Sequence, residues 1–263
     1  LMNLKGKCIV ITGASGGIGK EIAEKAADKG ACVVLLARSI DKLETIKLEL
    51  NSKYGNSAFA YQLDVADPGQ IQSVFSEIFA AVGEIDILVN NAGFGLFSHA
   101  HEADLQVTKA MFDVNVIGLI GCTQMVLPSM IKRKSGHIIN VASQAGKIAT
   151  PKSSVYSATK FAVLGYSNSL RLELSEHNVY VTTVNPGPIE TNFFNIADEQ
   201  GTYVKSMKRF MLKPDFVAGK VVDAMMTNKR EINLPGWMNL GGIFYTLFPR
   251  TFEALGQKAF FKK

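Results

Sequence analysis

Cys8-Ile9-Val10-Ile11-Thr12-Gly13-Ala14-Ser15-Gly16-Gly17-Ile18-Gly19 opens the chain after a short lead. Five β-favouring residues run into glycines, after which Ile18, Ile22, Ala23 and Ala26 recur at helical spacing. The order predicted is strand, glycine loop, helix. Glycines there let the backbone turn tightly and approach a pyrophosphate, whose charge is favoured by exposed amides and the dipole at the helix N-terminus.

The alternation continues outward. Gly30 stops the first helix, and Cys32 to Ala37 reads as a continuous apolar strand of a sheet covered on both faces. Further strands are expected at Ala58–Leu63, Ile85–Val89, His137–Ala142, Tyr180–Val184 and Glu231–Leu234. Helices are expected over Asp41–Tyr54, Asp67–Val82, about Leu105–Ile131, about Val155–Asn178 and Pro214–Thr227. This pattern predicts an α/β fold: one doubly wound, mostly parallel sheet of about seven strands with helices on both faces. Residues 1–263 read as a single domain, with 188–213 as a lid and 235–263 as an apolar C-terminal extension.

Composition narrows the function. With 47% hydrophobic residues and a net charge of +5 not gathered into a basic block, nucleic-acid binding is not indicated. Cys8, Cys32 and Cys122 have no paired spacing and read as small buried apolar residues in a reducing compartment. His99 and His101 lack further ligands at metal-binding spacing, so no metal site is expected. The N-terminus enters a strand without a signal-peptide core, and no apolar run approaches the roughly 18 residues of a membrane span. The reading is cytoplasmic.

Chemistry-bearing residues fall at strand C-terminal ends, where ligands of open parallel sheets sit. Tyr156 and Lys160 lie four apart at the start of a helical run and so share a face. General acid–base work near neutrality needs a tyrosine pKa lowered from about 10, and a nearby ammonium is strong enough to lower it. Strand five delivers Ser143 to the same edge. Asn115 interrupts an apolar helix and must find partners if buried. After Ala37, where an acidic residue would hold a ribose hydroxyl, stand Arg38 and Ser39. A guanidinium can take a 2′-phosphate bidentately, with Ser15 and Ser39 as further donors, while Asp41 belongs to the first turn of the next helix. This favours NADP(H) over NAD(H).

Thr12-Gly13-x-x-x-Gly17-x-Gly19, Asn90-Asn91-Ala92-Gly93, Asn115, Ser143, Tyr156-x-x-x-Lys160 and Pro186-Gly187 through Thr191 come in the order and spacing of the short-chain dehydrogenase/reductase family. The set resembles that family over roughly residues 5 to 234. The resemblance implies that Tyr156 is general acid in carbonyl reduction and general base in alcohol oxidation. Ser143 would bond the substrate oxygen. Lys160 would hold the nicotinamide ribose and lower the tyrosine pKa, and Asn115 would anchor a relay water. It further implies cofactor contacts at Gly13, Ser15, Gly17, Ile18, Gly19, Asp64, Val65, Asn91, Ala92, Gly93, Pro186, Gly187, Ile189 and Thr191.

Small residues at Ala158, Ala162, Gly165 and Ser169 allow close approach of a helix or subunit, and the family implies a homodimer or homotetramer. The departure from the family is the aromatic tail, Gly241 to Phe261 with Arg250, Lys258, Lys262 and Lys263. It could cover the substrate cleft, pack on a subunit or make peripheral membrane contact. With Phe193, Phe194, Phe210 and Met211 in the lid, it directs the substrate expectation to a bulky or lipid-like ketone or alcohol. The competing reading is a nucleotide-binding sensor or scaffold that has lost catalysis; retention of Asn115, Ser143, Tyr156 and Lys160 together argues for the enzyme.

Overall fold

The structure, a computed structural model, describes residues 4–55, 58–198 and 207–260. Seven parallel strands form one sheet: β1 (Cys8–Thr12), β2 (Cys32–Ala37), β3 (Ala58–Gln62), β4 (Ile87–Asn90), β5 (Gly136–Val141), β6 (Val179–Pro186) and β7 (Glu231–Leu234). Their spatial order is β3-β2-β1-β4-β5-β6-β7. Sequence order reverses between β1 and β4, and that switch point opens a crevice at the strands' C-terminal edge.

Helices cover both faces. α1 (Gly17–Asp28), α2 (Ile40–Tyr54) and, late in the chain, Pro214–Ala224 border one apolar layer, in which Ile9, Ile11, Leu35 and Val89 are buried. α3 (Pro68–Val82) borders the other, with Val10, Leu36, Phe75 and Leu88. Continuous β-branched strands satisfy both layers because their alternate side chains enter opposite ones. Asp67 fixes the start of α3, its carboxylate accepting from the Gly69 and Gln70 amides.

The expected helix from Leu105 is not uniform. α4 (Leu105–Phe112) passes into a π-helical turn over Asp113–Gly118 before α5 (Leu119–Lys132). The wider turn surrounds Asn115, whose amide is tied outside the helix. Contrary to the expectation that nothing in the sequence could span a membrane, Leu105–Lys132 is long and apolar enough by length and composition. In this fold part of it serves the core: Met111, Val116, Cys122 and Val126 are buried.

α6 (Ser154–Glu173) starts one residue before Tyr156's neighbour Val155 and ends short of the expected Asn178, because a 3-10 turn and the left-handed Asn178 redirect the chain into β6. Of the small residues on its outer side, Ala158, Gly165 and Ser169 are exposed beside exposed Phe161 and Leu172.

The lid begins with α7 (Phe193–Ala197) and resumes in a 3-10 turn over Lys208–Phe210; the lid's residues 199–206 lie outside the described residues. Pro214–Ala224 is α8. The tail forms two further helices, α9 (Gly236–Leu247) and α10 (Pro249–Phe260); Phe261, Lys262 and Lys263 lie outside the described residues.

The cysteines need a correction. They are free thiols, but Cys8 and Cys32 are partners in the β1–β2 register, and Cys32 is only half-buried. Distance in sequence conceals a neighbourhood that parallel pairing creates.

Candidate active site

The glycine loop after β1 is locked by contacts that leave no room for side chains. Gly13 and Gly17 adopt positive φ of 66° and 54°, a region costly for other residues. A Cβ on Gly13 would stand 2.9 Å from the Ala92 Cα, and one on Gly19 would strike the Gly13 carbonyl. Thr12 and Asn91 tie this loop to the loop after β4. The amides of Asn91 and Ala92 both donate to the Thr12 hydroxyl at 3.0 Å, while the Asn91 side chain donates to the Thr12 and Gly13 carbonyls at 3.0 and 3.1 Å.

Asn91 therefore braces the loop by its amide. A Cβ on Gly16, by contrast, would enter open space, and no side chain caps α1. The first-turn amides of α1 and a glycine loop without side chains fit a pyrophosphate.

Around the cradle lie the other expected contacts. Ser15 and Ile18 are half-buried, and Arg38 and Ser39 are exposed at the end of β2. Among the described residues the Arg38 guanidinium forms no ion pair, and Ser39 precedes α2 without capping it through its side chain. Asp41 lies in the first turn of α2. Asp64 accepts from the Ala66 amide, and buried Val65 packs against Gly118 in the π-helical turn. Across the crevice, Thr191 reaches within 3.3 Å of a Cβ built on Gly17, so the chain after β6 meets the loop after β1. Pro186 ends β6, the Gly187 amide donates to the Leu234 carbonyl at 2.6 Å, and Ile189 is buried.

Tyr156 and Lys160 share the first turns of α6, the Asn115 side chain reaches Thr159 beside them, and Ser143 stands just past β5, the strand that Lys160 contacts. Lys160, 5% exposed, donates to the Val141 carbonyl at 3.0 Å and lies 5.7 Å from the Tyr156 ring centroid. Burial lowers its pKa to about 8. Asn115 accepts from the Phe94 amide at 2.9 Å and donates to the Phe94 carbonyl at 2.8 Å and the Thr159 hydroxyl at 3.1 Å. Both its N–H donors are spent, which leaves an oxygen lone pair facing Gly93, where a Cβ would lie 3.0 Å from that oxygen and 3.6 Å from the Lys160 ammonium. Ser143 accepts from the Ala145 amide at 3.1 Å and donates to the Pro186 carbonyl at 3.4 Å.

Of the aromatic residues around Tyr156, Phe193 and Phe194 were expected in the lid, and Phe97 carried no signal of its own. Phe97 and Phe193 stand 6.1 and 5.6 Å from the Tyr156 ring, and Phe194 packs edge-on to Phe193 at 5.3 Å. Gly95 admits them: a Cβ there would lie 2.8 Å from Tyr156 and 3.0 Å from Phe193. The doubled glycine of Gly93-Phe94-Gly95 was the available hint. Lys147, on the turn after Ser143, donates to Glu231 at 2.5 Å, Asn233 at 2.9 Å and Asn239 at 3.1 Å. One cation thus joins the serine turn to β7 and α9. His99 and His101 stack at 5.7 Å, and among the described residues no group of three metal-ligating side chains assembles.

The tail borders this crevice. The Met238 sulfur would lie 2.8 Å from a Cβ on Gly187, and Trp237 meets Phe210 of the lid edge-on at 6.1 Å. Leu240, Ile243, Leu247 and Phe248 remain exposed.

The family profile described as short chain dehydrogenase matches residues 7–201. A curated relative, dehydrogenase/reductase SDR family member 7B of Mus musculus, is 33% identical over 257 residues, 95% of this chain and 80% of its own length. An alcohol dehydrogenase from Thermococcus sibiricus, solved with 5-hydroxy-NADP, superposes with a TM-score of 0.79 at 28% identity, covering 87% of this chain and 95% of that one. A short chain dehydrogenase/reductase from Burkholderia phymatum, solved with NAD, shares the fold at a TM-score of 0.87 and 24% identity, covering 95% of this chain and 96% of that one.

Proposed function

We propose that this chain, which belongs to the short-chain dehydrogenase/reductase family, is an NADP(H)-dependent oxidoreductase that interconverts a bulky, lipid-like ketone and its secondary alcohol. The observation that carries the reading is the pairing of Tyr156 with buried Lys160, with Asn115 bonded to Thr159 beside them and Ser143 just past the strand Lys160 contacts, next to a glycine cradle with uncapped helix amides. Nicotinamide-type cofactors fit the family and its solved relatives; the preference for NADP(H) rests on Arg38, with Ser15 and Ser39 as added donors. Gly13, Gly17, Ile18 and Gly19 would receive the pyrophosphate. Asp64, Val65, Asn91, Ala92 and Gly93 would border the adenosine half, and Pro186, Gly187, Ile189 and Thr191 the nicotinamide half. When bound, that group supplies or accepts the hydride.

The chain's own residues handle orientation and the proton. Ser143 donates to the substrate oxygen once its long bond to Pro186 is exchanged. Tyr156 gives its hydroxyl proton to that oxygen in reduction and takes it back in oxidation. Lys160, as an ammonium, favours the tyrosinate left behind and binds ribose hydroxyls. Asn115 offers its oxygen to a water that reprotonates the pair. Phe97, Phe193 and Phe194 provide an apolar wall beside Tyr156 and support the bulky-substrate reading.

Residues 1–263 are read as one catalytic domain with 188–213 as lid. The start of the 235–263 extension flanks the cleft through Trp237 and Met238, and the exposed apolar side chains of its described part with Arg250 favour peripheral contact with a membrane from which such a substrate would come. Free thiols favour a reducing, cytoplasmic setting, and the exposed small-residue side of α6 favours a homodimer or homotetramer. Tyr156→Phe tests the chemistry: NADPH-dependent turnover should vanish while NADPH affinity stays within about threefold, a change under about 1 kcal/mol. Wild-type turnover in that variant would remove Tyr156 from the mechanism.

A further inference from the structure

We propose that Cys8 and Cys32 form a dithiol modification site that captures one trivalent, thiophilic centre carrying an apolar group, such as an organoarsenical. The site lies at the N-terminal edge of the sheet, opposite the catalytic edge, and owes nothing to the proposed reaction. Cys8 and Cys32 begin β1 and β2 and are direct register partners, so their side chains leave the sheet on the same face. Each thiol perturbs the other's ionisation, as neighbouring sulfurs do. Both line a cavity of about 390 Å³, whose other walls include Phe59, Val82, Asp86 and Arg133. Half-buried Cys32 gives entry; Cys8, 6% exposed, lies behind it.

Spacing selects the ligand. In-register side chains on neighbouring strands keep their Cβ atoms near the strand separation of about 4.8 Å. A relaxed disulfide wants about 3.5 to 4.5 Å between Cβ atoms, so a direct bond would have to draw the strands together. One bridging atom removes that demand: with bonds to sulfur near 2.3 Å, as for zinc, two sulfurs stand well over 3 Å apart instead of the roughly 2.05 Å of a disulfide. Among the described residues no third ligand completes a metal site, and Asp86 is already committed, accepting from the Cys8 amide at 2.9 Å and from Lys7 at 3.0 Å. A centre that needs only two protein sulfurs and brings its own third substituent fits this pair. Phe59 and Val82 offer that substituent an apolar wall.

Electrostatics gives the order of attack. The neighbouring Cys8 lowers the Cys32 pKa, while Cys32 and burial raise that of Cys8, so the accessible sulfur is the readier thiolate. Cys32 attacks the arsenic of an R–As=O compound first, and Cys8 closes the ring. Two S–H bonds and the As=O bond break, two S–As bonds form, and the oxygen leaves as water. Arsenic stays trivalent, so no oxidant or reductant is required.

The test is intact-mass analysis of the reduced full-length protein after treatment with phenylarsine oxide, followed by a wash in excess 2-mercaptoethanol. One phenylarsenic group per chain should persist through the monothiol and be removed by 2,3-dimercaptopropanol. Cys8→Ser and Cys32→Ser should each lower retention at least tenfold, about 1.4 kcal/mol. Cys122→Ser should change nothing, because that thiol is fully buried on α5. If Cys8→Ser does not fold, Cys32→Ser at the half-exposed position still decides. No adduct on the wild type, loss to the monothiol, or full retention by folded Cys32→Ser would overturn the proposal.

Discussion

The loops after β1 and β4 and the segment beyond β6 border the same crevice but are held by different means. In the first, backbone meets backbone: Gly13 and Gly19 have no space for a Cβ, and Thr12 and Asn91 bond main-chain groups. In the second, side chains fix the geometry. Lys147 gathers Glu231, Asn233 and Asn239; Met238 covers Gly187; Trp237 meets Phe210. Backbone constraints suit a ligand shared by many proteins. Side-chain constraints can be exchanged without disturbing the sheet, which suits the part of the site that chooses a substrate.

The largest effect should come from breaking the first region. Gly19→Ala drives a methyl into the Gly13 carbonyl and the Asn91 amide, and overpacking of this kind costs about 1 to 3 kcal/mol or displaces the loop. NADPH affinity, measured by quenching of Trp237 fluorescence, should fall about 100-fold or more. Near-normal binding would show that the cradle is not where the phosphates lie.

In the second region, Lys147→Met keeps the length of the side chain and removes three bonds. Turnover should fall about 10- to 100-fold through misplacement of Ser143, with NADPH affinity changed by less than about threefold. Equal losses in both would make Lys147 a general stabiliser. Trp237→Ala should act more narrowly still, raising KM for long apolar ketones about tenfold and sparing small ones, as expected for lost apolar contact. An equal effect on both would detach the tail from substrate choice.

The smallest effect is a pH profile. Lys160 is depressed from 10.5 to about 8 by burial, so in the folded, ligand-free protein its ammonium is lost as pH rises through about 8. Between about 8 and 10.5 the unfolded chain binds the extra proton at this site, and this residue's contribution to stability therefore rises with pH across that window. Chemical denaturation of wild type against Lys160→Met should reveal the difference in slope. A wild type that lost stability relative to Lys160→Met there would reverse the assignment.

Much of this was legible because the deciding signals are local. Short strand-forming runs placed Cys8–Thr12, Cys32–Ala37 and Glu231–Leu234 at the observed residues, the first two as apolar, β-branched stretches. Arg38, Asn91 and Ser143 lie just past strand ends, while Tyr156 and Lys160 lie in the first turns of α6. What escaped depends on partners distant in the chain. The π-helical turn exists around Asn115, whose amide reaches Phe94 twenty-one residues earlier. Lys147 carried no signal in the sequence because its partners lie 84 to 92 residues away. The Cys8–Cys32 neighbourhood is a fact of strand register, which spacing in sequence does not contain. The tail read as an aromatic run, and its helices follow from packing of Phe244 and Tyr245 against Phe252.

The most direct test titrates the wild type and Arg38→Asp with NADPH and with NADH. The account predicts at least tenfold tighter NADPH binding by the wild type, about 1.4 kcal/mol, and reversal of that preference in the variant. Binding of neither dinucleotide by the folded wild type would contradict it, and an unaltered preference in Arg38→Asp would place the phosphate elsewhere.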